Sequence, residues 1–446
     1  MNLEREDFGE DFLWGVTTSA YQNEGAFNVD GKGPSIWDDF TKRKSKIKDK
    51  KNGNVACDFY HFYKEDIRRI KDTGLTVFRF SLSWARIMPD GKKVNQQGVD
   101  FYNKVIDECL HQGITPFVTL YHWDLPLALQ KEGGWRNRNI IEYFLNYTQV
   151  AIHAFGDRVK DWIILNEGIV FTGAGYFLGI HAPGKRGIKS FLAAVHHALI
   201  AQSQSLKLIK SLNAQLRVGT ALSMTKVSPY SNRKVDRKAA NRVNALLNRL
   251  FIEPHLGLGY PVDELAFFNR MQGVFLPGDE ELLPANFDFW GIQSYTREVI
   301  KRNRFVPYIF ASPVSPKKRG VPYSAMGMEI YPSSLKEMIR LVSKYDFAKP
   351  IIITECGQSY LEDHVEEDEI VNDTYRIDYY KSVLGDIKKL KKEGHPIKGF
   401  FIWTLTDNFE WSEGYIPRFG IYHTNFNTMK RTPKASQKWI KKLLKK

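Results

Sequence analysis

The sequence predicts an α/β protein built as one (β/α)8 barrel of the TIM type, residues 1–446, with extended loops at its catalytic face. Three observations predict it. Eight short apolar runs, rich in β-branched and aromatic residues, are spaced along the 446 residues. Segments of helical period separate them, and no Pro/Gly/Ser-rich linker or short repeat divides the chain.

The runs are FLWGVTTSAY (12–21), VFRFSLS (77–83), PFVTLY (116–121), WIILN (162–166), RVGTALS (217–223), DFWGIQSY (288–295), IIIT (351–354) and GFFIWTL (399–405). Each is apolar on both alternating faces, the pattern of a parallel strand covered on both sides. Between the first two, KEDIRRIKDTG (64–74) repeats Ile67 and Ile70 at helical spacing, and Gly74 stands where a C-cap belongs. FYNKVIDECLHQG (101–113) ends the same way at Gly113. Segments 139–155, 191–212, 335–345 and 373–394 also read as helices, and KWIKKLLKK (438–446) reads as a closing helix with a lysine-rich outer face.

Composition narrows the function. The chain is 43% hydrophobic and 26% charged, as a folded globular protein is, and 13% aromatic, enough for both a core and a sugar-stacking surface. The formal charge of +14 raises the question of polyanions, but the cations are spread along the chain. The densest run, 42–51, falls in a polar loop and reads as a solvated face, not a nucleic-acid site. The N-terminus is acidic where a signal peptide is cationic, and no apolar stretch approaches a membrane span. Cys57, Cys109 and Cys356 are odd in number and lack metal-ligand spacing, which fits reduced thiols in a cytoplasm. Nothing in the sequence fixes an oligomeric state.

Residues at the C-terminal ends of barrel strands face the active site. There the sequence places Arg79, the tripeptide His122-Trp123-Asp124, Asn166-Glu167, Gln293-Ser294-Tyr295, Glu355 and Trp403, with Glu410 and Trp411 beyond. Glu167 and Glu355 each follow an apolar strand directly, a costly location for a carboxylate unless it is paired or functional. Alone, each reads equally well as a rim salt bridge. Together among Trp and His they fit glycoside hydrolysis, which requires one protonated and one ionised carboxyl flanking the scissile bond. An arginine such as Arg79 and the Tyr295 hydroxyl are suited to keep Glu355 ionised, and Glu167 is then the carboxyl that feels a neighbouring charge and stays protonated. Two carboxyls carry this reaction without a metal or organic cofactor.

From FLWGVTTSAYQNEGA (12–26) to RTPKAS (431–436), through FRFSLSWARI (78–87), TLYHWDLP (119–126), TDNFEWSEGY (406–415) and RFGIY (418–422), the chain resembles the family one β-glycosidases. The resemblance implies retaining exo-hydrolysis of small β-glycosides, glucosides first and then galactosides or fucosides. It implies Glu167 as acid/base and Glu355 as nucleophile. Gln22, His122, Asn166 and Glu410 are implied as partners of the sugar hydroxyls, Trp403 as the platform under the ring and Trp411 as a further hydroxyl contact. Trp123 belongs to the same substrate-binding set. An acidic Glu410 is expected to disfavour a 6-phosphosugar.

The chain also departs from that pattern. Gly168 stands where proline usually follows the acid/base, and Cys356 where asparagine follows the nucleophile. Gln293 and Ser294 replace an asparagine and an aromatic residue, and Met328 replaces the tryptophan that walls the leaving-group side. These changes leave two alternatives open: a relative that binds sugar or a partner with impaired catalysis, and an enzyme that favours transfer to an acceptor sugar.

Overall fold

In the computed structural model, residues 3–271, 273–361 and 370–445 are described. Eight strands form a closed, wholly parallel barrel: β1 (Leu13–Thr17), β2 (Val77–Ser81), β3 (Thr115–Tyr121), β4 (Asp161–Asn166), β5 (Arg217–Ser223), β6 (Phe289–Gln293), β7 (Ile351–Cys356) and β8 (Ile397–Trp403). Strand order follows chain order, and β8 closes onto β1 in the register Leu13↔Gly399 through Thr17↔Trp403. One principal helix follows each strand: α1 (Phe59–Thr73), α2 (Gln96–His111), α3 (Ile140–Phe155), α4 (Ile188–Leu212), α5 (Lys234–Asn244), α6 (Ser333–Ser343), α7 (Thr374–Lys392) and α8 (Ala435–Leu444).

A layer of one residue per strand fills the barrel. Val77, Phe117, Ile163, Ala221, Phe289, Ile352 and Phe401 are buried together, with the partly buried Leu13 packed against them. The Phe117 ring meets those of Phe289 and Phe401 edge-on at 5.6 and 5.3 Å. Such a layer makes the barrel a packed core, not a pore. Glycines make room for it: a Cβ on Gly15 would lie 2.5 Å from Phe401 Cδ1, and one on Gly219 would lie 2.4 Å from Phe289 Cε2. A second, larger apolar layer lies between barrel and helices.

The strand positions agree with the eight apolar runs, and the differences lie at the ends. The run at 12–21 is strand only to Thr17, after which Ala20–Asn23 turns into a short helix that carries Gln22 inward. The run at 288–295 is strand only over Phe289–Gln293, whereas β7 continues through Glu355 to Cys356. Helix α5 was not legible. It shows no strong apolar stripe, only Asp236, Ala239 and Ala240 are buried, and it packs on a three-stranded sheet (Lys226–Pro229, Arg297–Arg302, Ala311–Pro313) outside the barrel. Among the described residues no helix is long and apolar enough to cross a membrane.

Candidate active site

Glu355 sits on β7 and is 3% exposed. Arg79, fully buried on β2, donates from Nη1 to its Oε1 at 2.6 Å, and the Tyr295 hydroxyl donates to its Oε2 at 2.7 Å. The same guanidinium reaches Thr119 Oγ1 (3.0 Å), the Thr354 carbonyl (3.2 Å) and Asn166 Oδ1 (2.7 Å), so its orientation is fixed on all sides. Glu167 follows β4 directly. Its backbone is left-handed, with φ 47° and ψ 62°, and its N–H donates to the Ala221 carbonyl at 2.8 Å. Trp123 (φ 80°) and Trp411 (φ 47°) share this conformation and line the same cavity. Each such residue costs on the order of 1–3 kcal/mol and persists only where its surroundings over-determine it.

Electrostatics separates the two carboxyls. Burial, and then the charge of Glu355, push Glu167 up to about 8, with Ser223 and Arg79 pulling against them. Burial also raises Glu355, but Arg79, Tyr295 and Gln293 all oppose the rise, and Glu355 is therefore the carboxyl that carries the charge. Glu410, 8% exposed, is pushed up to about 8 by burial and by Glu355. It therefore favours its protonated form at neutral pH, and the repulsion of a phosphosugar expected from the sequence is weaker than a charged Glu410 would give.

The other expected residues converge on the same place. His122, Trp123, Glu167, Tyr295, Met328, Glu355, Trp403, Glu410 and Trp411 line one cavity of about 190 Å³, below the roughly 300–1,000 Å³ of drug-sized pockets and so scaled to a single ring. Asn166 Nδ2 lies 3.1 Å from His122 Nε2, and its Oδ1 accepts from Arg79. Burial and Arg79 hold His122 well below its ordinary value, so it is neutral. Trp403 and Trp411 flank the His122 ring at 6.0 and 5.9 Å. Two side chains have their polar groups committed to other parts of the protein. Gln22 donates to the Phe409 carbonyl (2.9 Å) and to Glu410 Oε2 (3.2 Å), which fixes Glu410. The Trp123 indole N–H is engaged by the Asn166 carbonyl at 2.9 Å.

The departures resolve individually. Gln293 uses its longer arm to donate to Asn166 Oδ1 at 2.8 Å. The Ser294 hydroxyl turns to Ser334 on α6 at 2.8 Å, and the Cys356 thiol lies 3.8 Å from the Tyr379 hydroxyl on α7. A Cβ on Gly168 would lie 2.2 Å from Phe251 Cε1, so the ring of Phe251 occupies the space a larger residue needs and braces the turn after Glu167. Sequence reading missed Val170, His181, Ser223, Met326, Ser412 and Phe419, which also line the cavity. Ser223 ends a predicted strand and was accessible to the strand-end rule. The others lie on loops or on the short helix Gly168–Thr172 and carried no positional signal.

A closed parallel barrel with two electrostatically linked carboxyls in an aromatic cavity defines a barrel hydrolase of the two-carboxylate kind. The chain belongs to glycosyl hydrolase family 1, whose family model matches residues 4–446. β-Glucosidase A of Thermotoga maritima is 40% identical over 447 aligned residues, covering 100% of this chain and 99% of that protein. β-Glucosidase A of Acetivibrio thermocellus is 39% identical, covering 98% of each. The solved structure of the family 1 β-glucosidase from Thermotoga maritima superposes with a TM-score of 0.93 at 40% identity, covering 98% of each chain. A second structure of that enzyme holds glucoimidazole and gives a TM-score of 0.92 at 40% identity over 98% of each chain.

Proposed function

We propose that the chain, as one catalytic domain over 1–446, is a retaining exo-β-glucosidase of small β-glycosides, with Glu355 as nucleophile and Glu167 as acid/base. One observation carries the assignment of roles: Glu355 meets both Arg79 and Tyr295, while burial and the Glu355 charge hold the proton on Glu167. In the first step a Glu355 oxygen forms a bond to the anomeric carbon as the glycosidic C–O bond breaks, and Glu167 gives its proton to the departing oxygen. The glycosyl ester removes the Glu355 charge, so Glu167 becomes more acidic and ionised. It then takes a proton from water, whose oxygen displaces Glu355 from the same carbon with net retention. Trp403 supplies a face for the sugar ring, and Asn166, neutral His122 and Glu410 supply hydrogen-bonding groups for its hydroxyls.

Turnover of an aryl β-glucoside with the β-anomer appearing first by proton NMR is the expected result, and Glu355→Gly is expected to abolish it. Near-normal turnover in Glu355→Gly, or an α-anomer as first product, would overturn the reading. With both carboxyls in one cavity, no observation favours a non-catalytic binding relative. We also assign the protein to the cytoplasm, on three buried cysteines that are free thiols. Recovery from an extracytoplasmic fraction would refute that placement.

A further inference from the structure

The basic run at 42–51 is not used by this mechanism, yet the fold brings it to the edge of the catalytic cavity. Seven of its ten residues are Lys or Arg. It belongs to the loop between β1 and α1, at the C-terminal end of the barrel. The Lys48 N–H donates to the carbonyl of Ser412, a cavity-lining residue, at 2.8 Å. Lys46 Nζ donates to the Gly179 carbonyl at 3.2 Å, and Arg43 Nη1 donates to the Pro183 carbonyl at 3.0 Å. These two contacts hold the loop that carries His181, which lines the cavity, and the same loop adds Lys185 and Arg186. Asp39 offsets Arg43 and Glu413 offsets Lys48, whereas Lys44 and Arg186 are exposed. Val170, Met326, Met328 and Phe419 line the same cavity with apolar side chains, beside three glutamates of which Glu355 carries the charge.

The site is therefore varied in character: hydrogen-bonding carboxyls, an apolar lining and a basic rim. A neutral sugar suits the carboxyls, an apolar body suits the apolar lining, and a negative charge is attracted to the rim. We infer that the enzyme selects β-glucosides whose aglycone is an apolar body ending in an anion such as a carboxylate, with the anion seated against the 42–51 and 179–187 loops. This rests on the glucosidase reading and specifies its substrate class. A charged rim over a low-dielectric wall raises the encounter rate and fixes the orientation of such a molecule, and salt removes the advantage.

The test compares 4-carboxyphenyl β-glucoside with its methyl ester, read as the ratio of kcat/KM values within each protein. At low salt the ratio in the wild-type enzyme should exceed that in Lys44→Glu/Arg186→Glu by roughly tenfold, the low end of what focused fields provide. The advantage should vanish at about 1 M salt, where the screening length is about 3 Å. Lys441→Glu/Lys442→Glu on α8 makes the same change in net charge elsewhere and should leave the ratio as in the wild type. A ratio that is insensitive to salt, or is moved equally by the α8 variant, overturns the inference. If neither glucoside is cleaved, the glucosidase reading itself falls and takes the inference with it.

Discussion

Arg79 of β2 and Glu355 of β7 meet inside the barrel end, Nη1 to Oε1 at 2.6 Å, with both side chains buried. The pair anchors a wider polar network, because the same guanidinium also orients Asn166, and Asn166 orients His122. Removing one partner of a buried ion pair leaves the other charge uncompensated, at about 3–5 kcal/mol. Arg79→Met is therefore expected to lower kcat by about 10²–10³, comparable to losing a key charge-stabilising donor, and to lower the melting temperature. The pH profile separates this from general damage. Glu355 must be ionised to attack, so activity is lost as pH falls through its pKa. Without Arg79 that pKa rises, and the acidic limb of kcat/KM should move to higher pH. An unmoved limb would count against Arg79 as the group that holds the charge on Glu355.

Glu167 must be protonated in the first step, so activity is lost as pH rises through its pKa, which burial and Glu355 push up to about 8. The basic limb of kcat/KM is expected near that pH in the wild type. In Glu167→Gln, alkyl glucosides should lose about 10²–10⁴ in rate, the usual contribution of a general acid. A substrate with an activated phenol should still release its aglycone, with no basic limb near pH 8. Equal losses for both leaving groups would contradict the acid role. In Glu355→Gln the neighbouring charge is gone, and the Glu167 titration followed by carbon-13 NMR should move to lower pH.

Much of this was legible from sequence for one physical reason. Parallel strands covered on both faces must be apolar throughout, so a carboxylate at the end of IIIT or WIILN stands out. Helix α5 escaped because it buries only two alanines and an aspartate and shows no strong apolar stripe. Met326 and Phe419 escaped because a loop residue's direction depends on tertiary packing, which no periodicity encodes, and Val170 because its helix, Gly168–Thr172, is too short to show a period. Ser294 shows the converse. It sits at a strand end in the sequence, but the strand stops at Gln293 and the next side chain turns toward α6.

The leaving-group wall offers a test of Met328. A thioether is flexible and presents less flat area than an indole. Met328→Trp is expected to lower KM for aryl glucosides by about two- to tenfold, the equivalent of the roughly 0.5–1.5 kcal/mol of an aromatic pair. The kcat of an activated substrate should change little, because the wall touches the leaving group and not the reacting bond. Unchanged KM values for a series of aryl groups would remove Met328 from the leaving-group side.

Glu410 supplies a stability test whose sign is fixed by its direction of shift. Its pKa is raised from an ordinary 4.5 to about 8 in the folded chain, so folding favours the protonated form. Below about pH 4.5 both folded and unfolded states hold the proton and the full stability is present. Between 4.5 and 8 the unfolded state ionises first, and stability is progressively lost as pH rises through the folded value. Glutamine mimics the protonated acid and keeps the hydrogen bond from Gln22 within reach. Glu410→Gln should therefore match the wild type in denaturant melts near pH 4 and exceed it near pH 8, by on the order of a few kcal/mol at most, since water in the cavity moderates the shift. A variant less stable than the wild type at pH 8 would show that Glu410 is ionised and well partnered in the folded enzyme, contrary to its burial beside Glu355.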